Sequence, residues 1–242
     1  MLTIHETLEQ GSEAKPVTIY DYIAQGSEEW LALRCGILTA SEISKILTAK
    51  TLKSAANDHS RALVMEKAAQ RITGEIEPQF ISDDMIRGIE QEGVARDYYR
   101  QFEPDAREVG FVMRDMGGFI IGASPDALVG DVGGWETKCP RQKEHVRTVL
   151  SGEVPEQYVL QVQTCLFVTG RDWWDFSSFY GGLDMPVIRV EPDLRIHEAI
   201  KDAAEQFEET VQAAVKAWGD RSSRGIRMIA TEKVIEQEIY LG

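Results

Sequence analysis

Asp126, Glu136 and Lys138 flank a glycine-rich stretch, Gly130-Asp131-Val132-Gly133-Gly134, and two acids with a lysine at this spacing suit metal-assisted hydrolysis of a phosphodiester. The argument is geometric. In a strand, alternate side chains share a face, so Glu136 and Lys138 point one way while Trp135, Thr137 and Cys139 point the other. A hairpin folded symmetrically about Asp131 puts position 126 opposite position 136, where cross-strand Cβ atoms lie ~4.5–5.5 Å apart. Two carboxylates that close repel unless a cation or a shared proton intervenes, and hard oxygen donors suit Mg²⁺ or, as a substitute, Mn²⁺. Lys138 would then hold or activate the attacking water.

An isolated string of this kind is more often a solvated hairpin with its charges facing water. The flanks argue otherwise. Phe119-Ile120-Ile121 and Ala127-Leu128-Val129 are apolar runs of core-strand type, and Pro125 and Cys139-Pro140 stand where strands begin or end. Charges on a strand embedded in such a sheet are costly unless they have a function.

The elements that must position these residues follow from periodicity and capping. Val17–Tyr20 reads as a short extended segment after a polar leader over 1–16. Ser27-Glu28-Glu29 opens a helix with a capping hydroxyl and acids in the first turn. Thr39 and Glu42 form a capping-box signature for the next helix. A further helix over 59–73 ends before Gly74, and another over 83–103 carries Glu92, Arg96 and Tyr99 on one side. Strands are predicted at about 107–114, 118–123, 126–130 and 134–138, then a helix at about 155–168 and strands at 172–180 and 186–191. A long helix over 194–218 has Ile196, Ile200, Phe207, Val211, Val215 and Trp218 on its apolar side, most simply a core face. No internal repeat is visible, and the reading is one domain over 1–242, with its core at 26–180 and a helix and tail at 194–242.

The stretch Gly122-Ala-Ser-Pro-Asp-Ala-Leu-Val, followed by Trp135-Glu-Thr-Lys-Cys-Pro, resembles the core of the PD-(D/E)xK nucleases, specifically the viral alkaline exonuclease branch of lambda-exonuclease and YqaJ type. The likeness extends to Gly26–Glu42, to Gly88–Arg96 around Glu92, and to Tyr158–Gln163 with Val168-Thr-Gly, four ordered blocks between 26 and 180. Ala127 stands where the family often has Gly, and Thr137 is polar; neither departure removes a charged group. The resemblance implies an α/β, restriction-endonuclease-like core with a central mixed β-sheet flanked by helices. It also implies that Asp126, Glu136, the Thr137 carbonyl and Glu92 hold Mg²⁺, and that Lys138 and Gln161 complete the catalytic set. Arg34, Ser41 and Ser124 would bind a terminal 5′-phosphate, for which a guanidinium fork and nearby hydroxyls are suited. The implied activity is 5′ to 3′ digestion of linear double-stranded DNA by a ring-shaped homotrimer, leaving a 3′ overhang for a single-strand annealing protein.

Several of these positions have structural readings of their own. Gln161 and Gln163 interrupt an apolar helix and could serve only as buried hydrogen-bonding amides. Ser41 could act solely at a helix start, Tyr158 could simply pack, and Trp30 reads as core. Two other functions share the motif: a structure-specific or restriction-type endonuclease of the same fold, and a non-catalytic DNA-end-binding module.

At 242 residues and 43% hydrophobic, the chain can bury a full core. No apolar run approaches the ~20 residues of a membrane span, and the first residues lack a signal-peptide pattern, so a cytoplasmic setting in a bacterial or phage-infected cell is expected. Cys35, Cys139 and Cys165 are too scattered for a disulfide framework or zinc knuckle and too few for an iron–sulfur cluster. The net charge of −14 argues against non-specific DNA coating. Locally, however, Lys45, Lys50, Lys53, Arg61, Lys67 and Arg71 outnumber Asp58 and Glu66, and Lys138, Arg141, Lys143 and Arg147 outnumber Glu144. The expectation is a basic catalytic side on an otherwise acidic protein.

Overall fold

A computed structural model describes residues 5–7, 17–78 and 82–233, so most of the polar leader and the last nine residues lie outside the described residues. In chain order the elements are β1 (His5–Thr7), β2 (Val17–Tyr20), α1 (Glu28–Arg34), β3 (Leu38–Thr39), a 3₁₀ helix (Ala40–Lys45), β4 (Leu47–Thr48), β5 (Lys53–Ser54), α2 (Asp58–Thr73) and α3 (Asp83–Tyr99). There follow β6 (Ala106–Arg107), β7 (Phe111–Asp115), β8 (Ile120–Ala123), β9 (Ala127–Val129), β10 (Gly133–Lys138), α4 (Gln142–Ser151), α5 (Glu156–Thr169), β11 (Trp173–Ser178), β12 (Val187–Val190), α6 (Leu194–Gly219) and a second 3₁₀ helix (Arg221–Arg224).

The capping signals act as expected. Ser27 accepts the Trp30 amide at 3.2 Å to start α1, and Asn57 and Ser60 cap each other at the start of α2, which stops at left-handed Gly74 (φ 76°). The Thr39 and Glu42 box is present, but the turn it opens is 3₁₀ rather than α. Helix α3 ends at Tyr99, four residues before the expected end. Within the leader, His5–Thr7 pairs antiparallel with β2.

The strands form two five-stranded ladders, ordered β1-β2-β7-β8-β3 and β12-β11-β10-β9-β6. The α/β class holds, and the strands expected in one central sheet fall into two ladders: β6 pairs with β9 in the second, and after β7 and β8 the chain returns from the first to the second at Ser124-Pro125-Asp126. Proline has no N–H to offer a ladder, which suits it to that break. The two sheets share one core, in which Val112 and Ile121 of the first lie with Leu128, Trp174 and Phe176 of the second, together with Leu160 of α5 and Phe207 of α6.

Hairpin β9–β10 pairs Val129 with Gly133, Leu128 with Gly134 and Ala127 with Trp135, the register expected from symmetry about Asp131. Gly130 makes the turn at φ 50°. Gly133, read from sequence as part of the turn, and Gly134, the expected first residue of the strand over 134–138, are both strand residues kept bare by packing. A Cβ on either would lie 2.2 Å from the ring of Trp173 or Trp174 on the neighbouring parallel strand.

Arg171 anchors this hairpin. Its buried guanidinium Nη1 donates to the carbonyls of Val129, Gly130 and Gly133 at 3.2, 2.8 and 2.7 Å. Arg171→Met keeps most of the volume and strips three carbonyls of a donor, so we expect a loss of about 2–4 kcal/mol, read from the denaturant midpoint.

Two basic residues counted on the catalytic side are absorbed by structure. Lys67 is buried against Glu42 at 2.8 Å, and Arg71 bridges Glu208 (2.6 Å) and the Gly36 carbonyl. Arg61, Arg141 and Arg147 pair with Asp58, Asp84 and Glu144. On α6, Ile200, Phe207 and Val211 are buried as expected, whereas Trp218 is half exposed under the Arg221 guanidinium. Among the described residues no helix is long and apolar enough to cross a membrane.

Candidate active site

Extending the β9–β10 register by one pair sets Asp126 across from Glu136, with Asp126 just past the end of the ladder. There its Oδ2 accepts the Thr137 amide at 2.6 Å, tying the first acid to the peptide that follows the second. Glu136 and Lys138 share a face, and Lys138 Nζ lies 2.6 Å from Glu136 Oε1. The same oxygen accepts Gln161 Nε2 from α5, also at 2.6 Å. Glu136 Oε2 is buried with no hydrogen-bond partner. A buried carboxylate oxygen left bare is costly, by about 1–3 kcal/mol or more.

The electrostatics agree with the geometry. Burial pushes the Asp126 carboxyl well above the usual carboxylate range, and the charge of Glu136 pushes it further. Burial alone would lower the Lys138 ammonium, but the fields of Glu136 and Asp126 and the hydrogen bond to Glu136 outweigh it, and the group is raised. Tyr158, stacked on Phe176, places its ring 5.5 Å from the Lys138 ammonium.

Glu92 of α3 is half-buried and lines a cavity of about 500 Å³ with Asp126, Arg96, Glu108 and Gln25. Burial raises its carboxyl, Glu136 adds to this, and Lys138 and Arg96 oppose it. Glu92 therefore shares the electrostatic environment of the hairpin acids. Among the described residues, no three Asp, Glu, His or Cys side chains converge closely enough to form a closed metal site. The hairpin pair still fits a hard divalent cation, because its donors are carboxylate oxygens, one is bare and buried, and Mg²⁺ commonly uses one or two carboxylates with water.

A second cluster lies at the start of the connector between the sheets. Ser124 Oγ accepts Trp30 Nε1 at 3.0 Å and faces Arg34 Nη1 at 3.4 Å, while the Arg34 guanidinium stacks 3.9 Å from the Trp30 ring centroid. Burial lowers the Arg34 pKa, opposed by the charge of Glu42. Arg34 is half-buried and forms no ion pair among the described residues, which leaves it open to an anion. Ser41 bonds to neither of these and contacts Thr39 Oγ1 at 3.3 Å. It nevertheless lies at the same end of the sheet. Thr39 of β3 pairs in parallel with Gly122 of β8, and Ser41 and Ser124 each lie two residues beyond that pair.

Sequence reasoning missed Gln25 and the roles of Trp30 and Arg96 at this site. Trp30, read as core, donates to Ser124 and to the Gly110 carbonyl. Gln25 donates to the Val109 and Pro125 carbonyls, and Arg96 Nε to the Asp126 carbonyl at 3.2 Å. Gly110 could have drawn attention to this crossing, since a Cβ there would lie 2.2 Å from the Ile23 carbonyl oxygen. Gln163, by contrast, is structural: it donates to the Glu191 carbonyl and accepts the Asp193 amide.

The fold has counterparts among solved structures. The chain is 30% identical to the alkaline exonuclease LHK-Exo from Laribacter hongkongensis, with a TM-score of 0.73 over 83% of this chain and 100% of that one. The complex of LHK-Exo with dAMP matches at 30% identity and TM-score 0.72 over the same shares. A phage-related exonuclease from Haemophilus somnus 129PT, at 15% identity and TM-score 0.51 over 75% of this chain and 96% of that one, shares the fold. No curated protein matches. The fold is that of the restriction-endonuclease-like superfamily. Residues 29–172 match the YqaJ-like viral recombinase domain, and the chain belongs to that family.

Proposed function

We propose that this chain is a Mg²⁺-dependent exonuclease that digests one strand of linear double-stranded DNA from 5′ to 3′, releasing 5′-mononucleotides and leaving a 3′ overhang. Family membership and the likeness to LHK-Exo, an alkaline exonuclease, support a DNA exonuclease. The observation that carries the metal-dependent reading is Glu136: one oxygen is held by Lys138 and Gln161, and the other is bare beside Asp126.

Asp126 and Glu136 would hold the ion, with the Thr137 carbonyl and with Glu92 acting through water; Mn²⁺ is the expected substitute. The bound cation would acidify water and stabilise the charge that develops on the phosphoryl and leaving oxygens. Lys138 donates to the attacking water and orients it, and its position beside Glu136 puts that water against the acid pair. Gln161 fixes the Glu136 rotamer, so that Oε2 faces the reaction. Arg34, Ser41 and Ser124 receive the terminal 5′-phosphate, which sets the polarity and rejects chains without an end. The same reading makes the protein a single catalytic domain, assembled as a ring-shaped homotrimer around its duplex, in the cytoplasm of a bacterial or phage-infected cell, with a single-strand annealing protein as partner.

A duplex labelled at one 5′ end tests the product. Labelled mononucleotide should appear with Mg²⁺ and stop on chelation; label released in longer oligonucleotides would contradict the reading.

A further inference from the structure

Ser124, Pro125 and Asp126 join the two sheets, and each is held by a different side chain. Trp30 and Arg34 meet the Ser124 hydroxyl at 3.0 and 3.4 Å, Gln25 Nε2 meets the Pro125 carbonyl at 2.9 Å, and Arg96 meets the Asp126 carbonyl at 3.2 Å. Gln25 also donates to the Val109 carbonyl at 3.0 Å. Gln25, Trp30 and Arg34 belong to one stretch, the loop after β2 and helix α1. That stretch therefore grips two successive residues of the segment that ends in the first hairpin acid.

Among the described residues Gln25 is hydrogen-bonded to neither Arg34 nor the Asp126 carboxylate, though it lines the same cavity as Asp126. It is an exposed residue whose amide spans 84 and 100 positions of chain to reach two backbone carbonyls. An exposed glutamine is usually free to rotate in water. One held by two backbone acceptors on the approach to an acid is placed to set that acid's position.

We propose that Gln25 is a positioning residue that couples occupation of the terminal-phosphate pocket to cation affinity at Asp126 and Glu136. This rests on the reading of Arg34 and Ser124 as the phosphate pocket. Coupling requires contacts that differ between two states. Arg34 Nη1 and Ser124 Oγ meet at 3.4 Å, a long contact that a group bonded to both could shorten. A phosphate drawn to both would reposition Ser124. Pro125 has a fixed φ, so a shift of Ser124 passes along the connector instead of being absorbed there. Gln25 holds the next peptide against the α1 stretch, and Asp126 settles toward Glu136.

The test is calorimetric titration of the full-length protein with Mn²⁺, with and without saturating thymidine 5′-monophosphate. Thymidine serves as the control, and a protein-free titration is subtracted. The monophosphate should tighten Mn²⁺ binding roughly 5–10-fold, and thymidine should not. In Gln25→Met, which keeps the length of the side chain but lacks its N–H donors, the tightening should fall below about twofold at unchanged far-UV circular dichroism. Trp30→Phe, which removes the indole donor to Ser124 and keeps a ring under Arg34, should weaken it as well. Full tightening in both variants would overturn the proposal and assign the coupling to direct contact between phosphate and cation. Monophosphate binding that leaves Mn²⁺ affinity unchanged in the unmodified protein would overturn the coupling alone. No monophosphate binding at all would overturn the pocket and the coupling together.

Discussion

Lys138→Ala should lower kcat on linear duplex DNA by roughly 10²- to 10⁴-fold, the range for loss of a positioned proton-handling group, while the Kd for the duplex changes little. Lys138 Nζ lies 2.6 Å from Glu136 Oε1 and feels the charges of both hairpin acids, which places it in the charged cluster of the hairpin. Its side chain is only about a quarter exposed, and it is not presented to solvent as a general DNA-binding lysine would be. The substitution removes the donor proposed to orient water and leaves the Glu136 oxygen with Gln161 alone. A loss confined to kcat means an interaction made chiefly in the transition state. Turnover within a few-fold of normal would show that water activation does not pass through this residue.

Arg34→Ala should act differently, because Arg34 is hydrogen-bonded to neither hairpin acid and contacts Ser124 and Trp30. Loss of a charge-assisted contact to phosphate removes about 1.5–3 kcal/mol, or roughly 10- to 150-fold in kcat/KM on 5′-phosphorylated ends. On 5′-hydroxyl ends the effect should be within about threefold, so the preference between ends collapses. The two kcat/KM values, measured side by side, give the answer directly. An equal loss on both kinds of end would make Arg34 a general scaffold residue and remove it from end recognition.

How much of this was legible in the sequence depends on whether the signal was local. The hairpin register could be read because strand alternation and a short glycine turn fix it with no help from the rest of the chain. Gln161 could be placed because a polar side chain in an apolar helix must find a partner, and it found Glu136, whereas the same logic at Gln163 led only to a loop carbonyl and amide. Helix α4 was missed although Val146, Val149 and Leu150 stand at helical spacing; these three are exposed, and the positions it buries, His145 and Thr148, are polar, so its short apolar stripe does not mark a core face. The division of the strands into two ladders was invisible for another reason: β8 and β9 both read as core strands, and only long-range pairing decides which neighbours each takes. Charge counting failed at Lys67 and Arg71, since their partners lie on a capping turn and on α6, and in the case of Arg71 and Glu208 that partner is 137 positions away. Gln25 left no signal, being a polar residue in a loop whose acceptors are backbone atoms of distant segments.

The central claim is that the Asp126, Glu136 and Lys138 hairpin acts on a DNA end received at Arg34 and Ser124. It is tested most directly by incubating the protein with Mg²⁺ and three substrates: a linear duplex with 5′-phosphates, the same duplex with 5′-hydroxyls, and a covalently closed circle. The account predicts mononucleotide release that favours the phosphorylated duplex and leaves the circle intact. Cleavage of the circle would contradict it, making the same hairpin the centre of an endonuclease and removing the terminal-phosphate role from Arg34, Ser41 and Ser124.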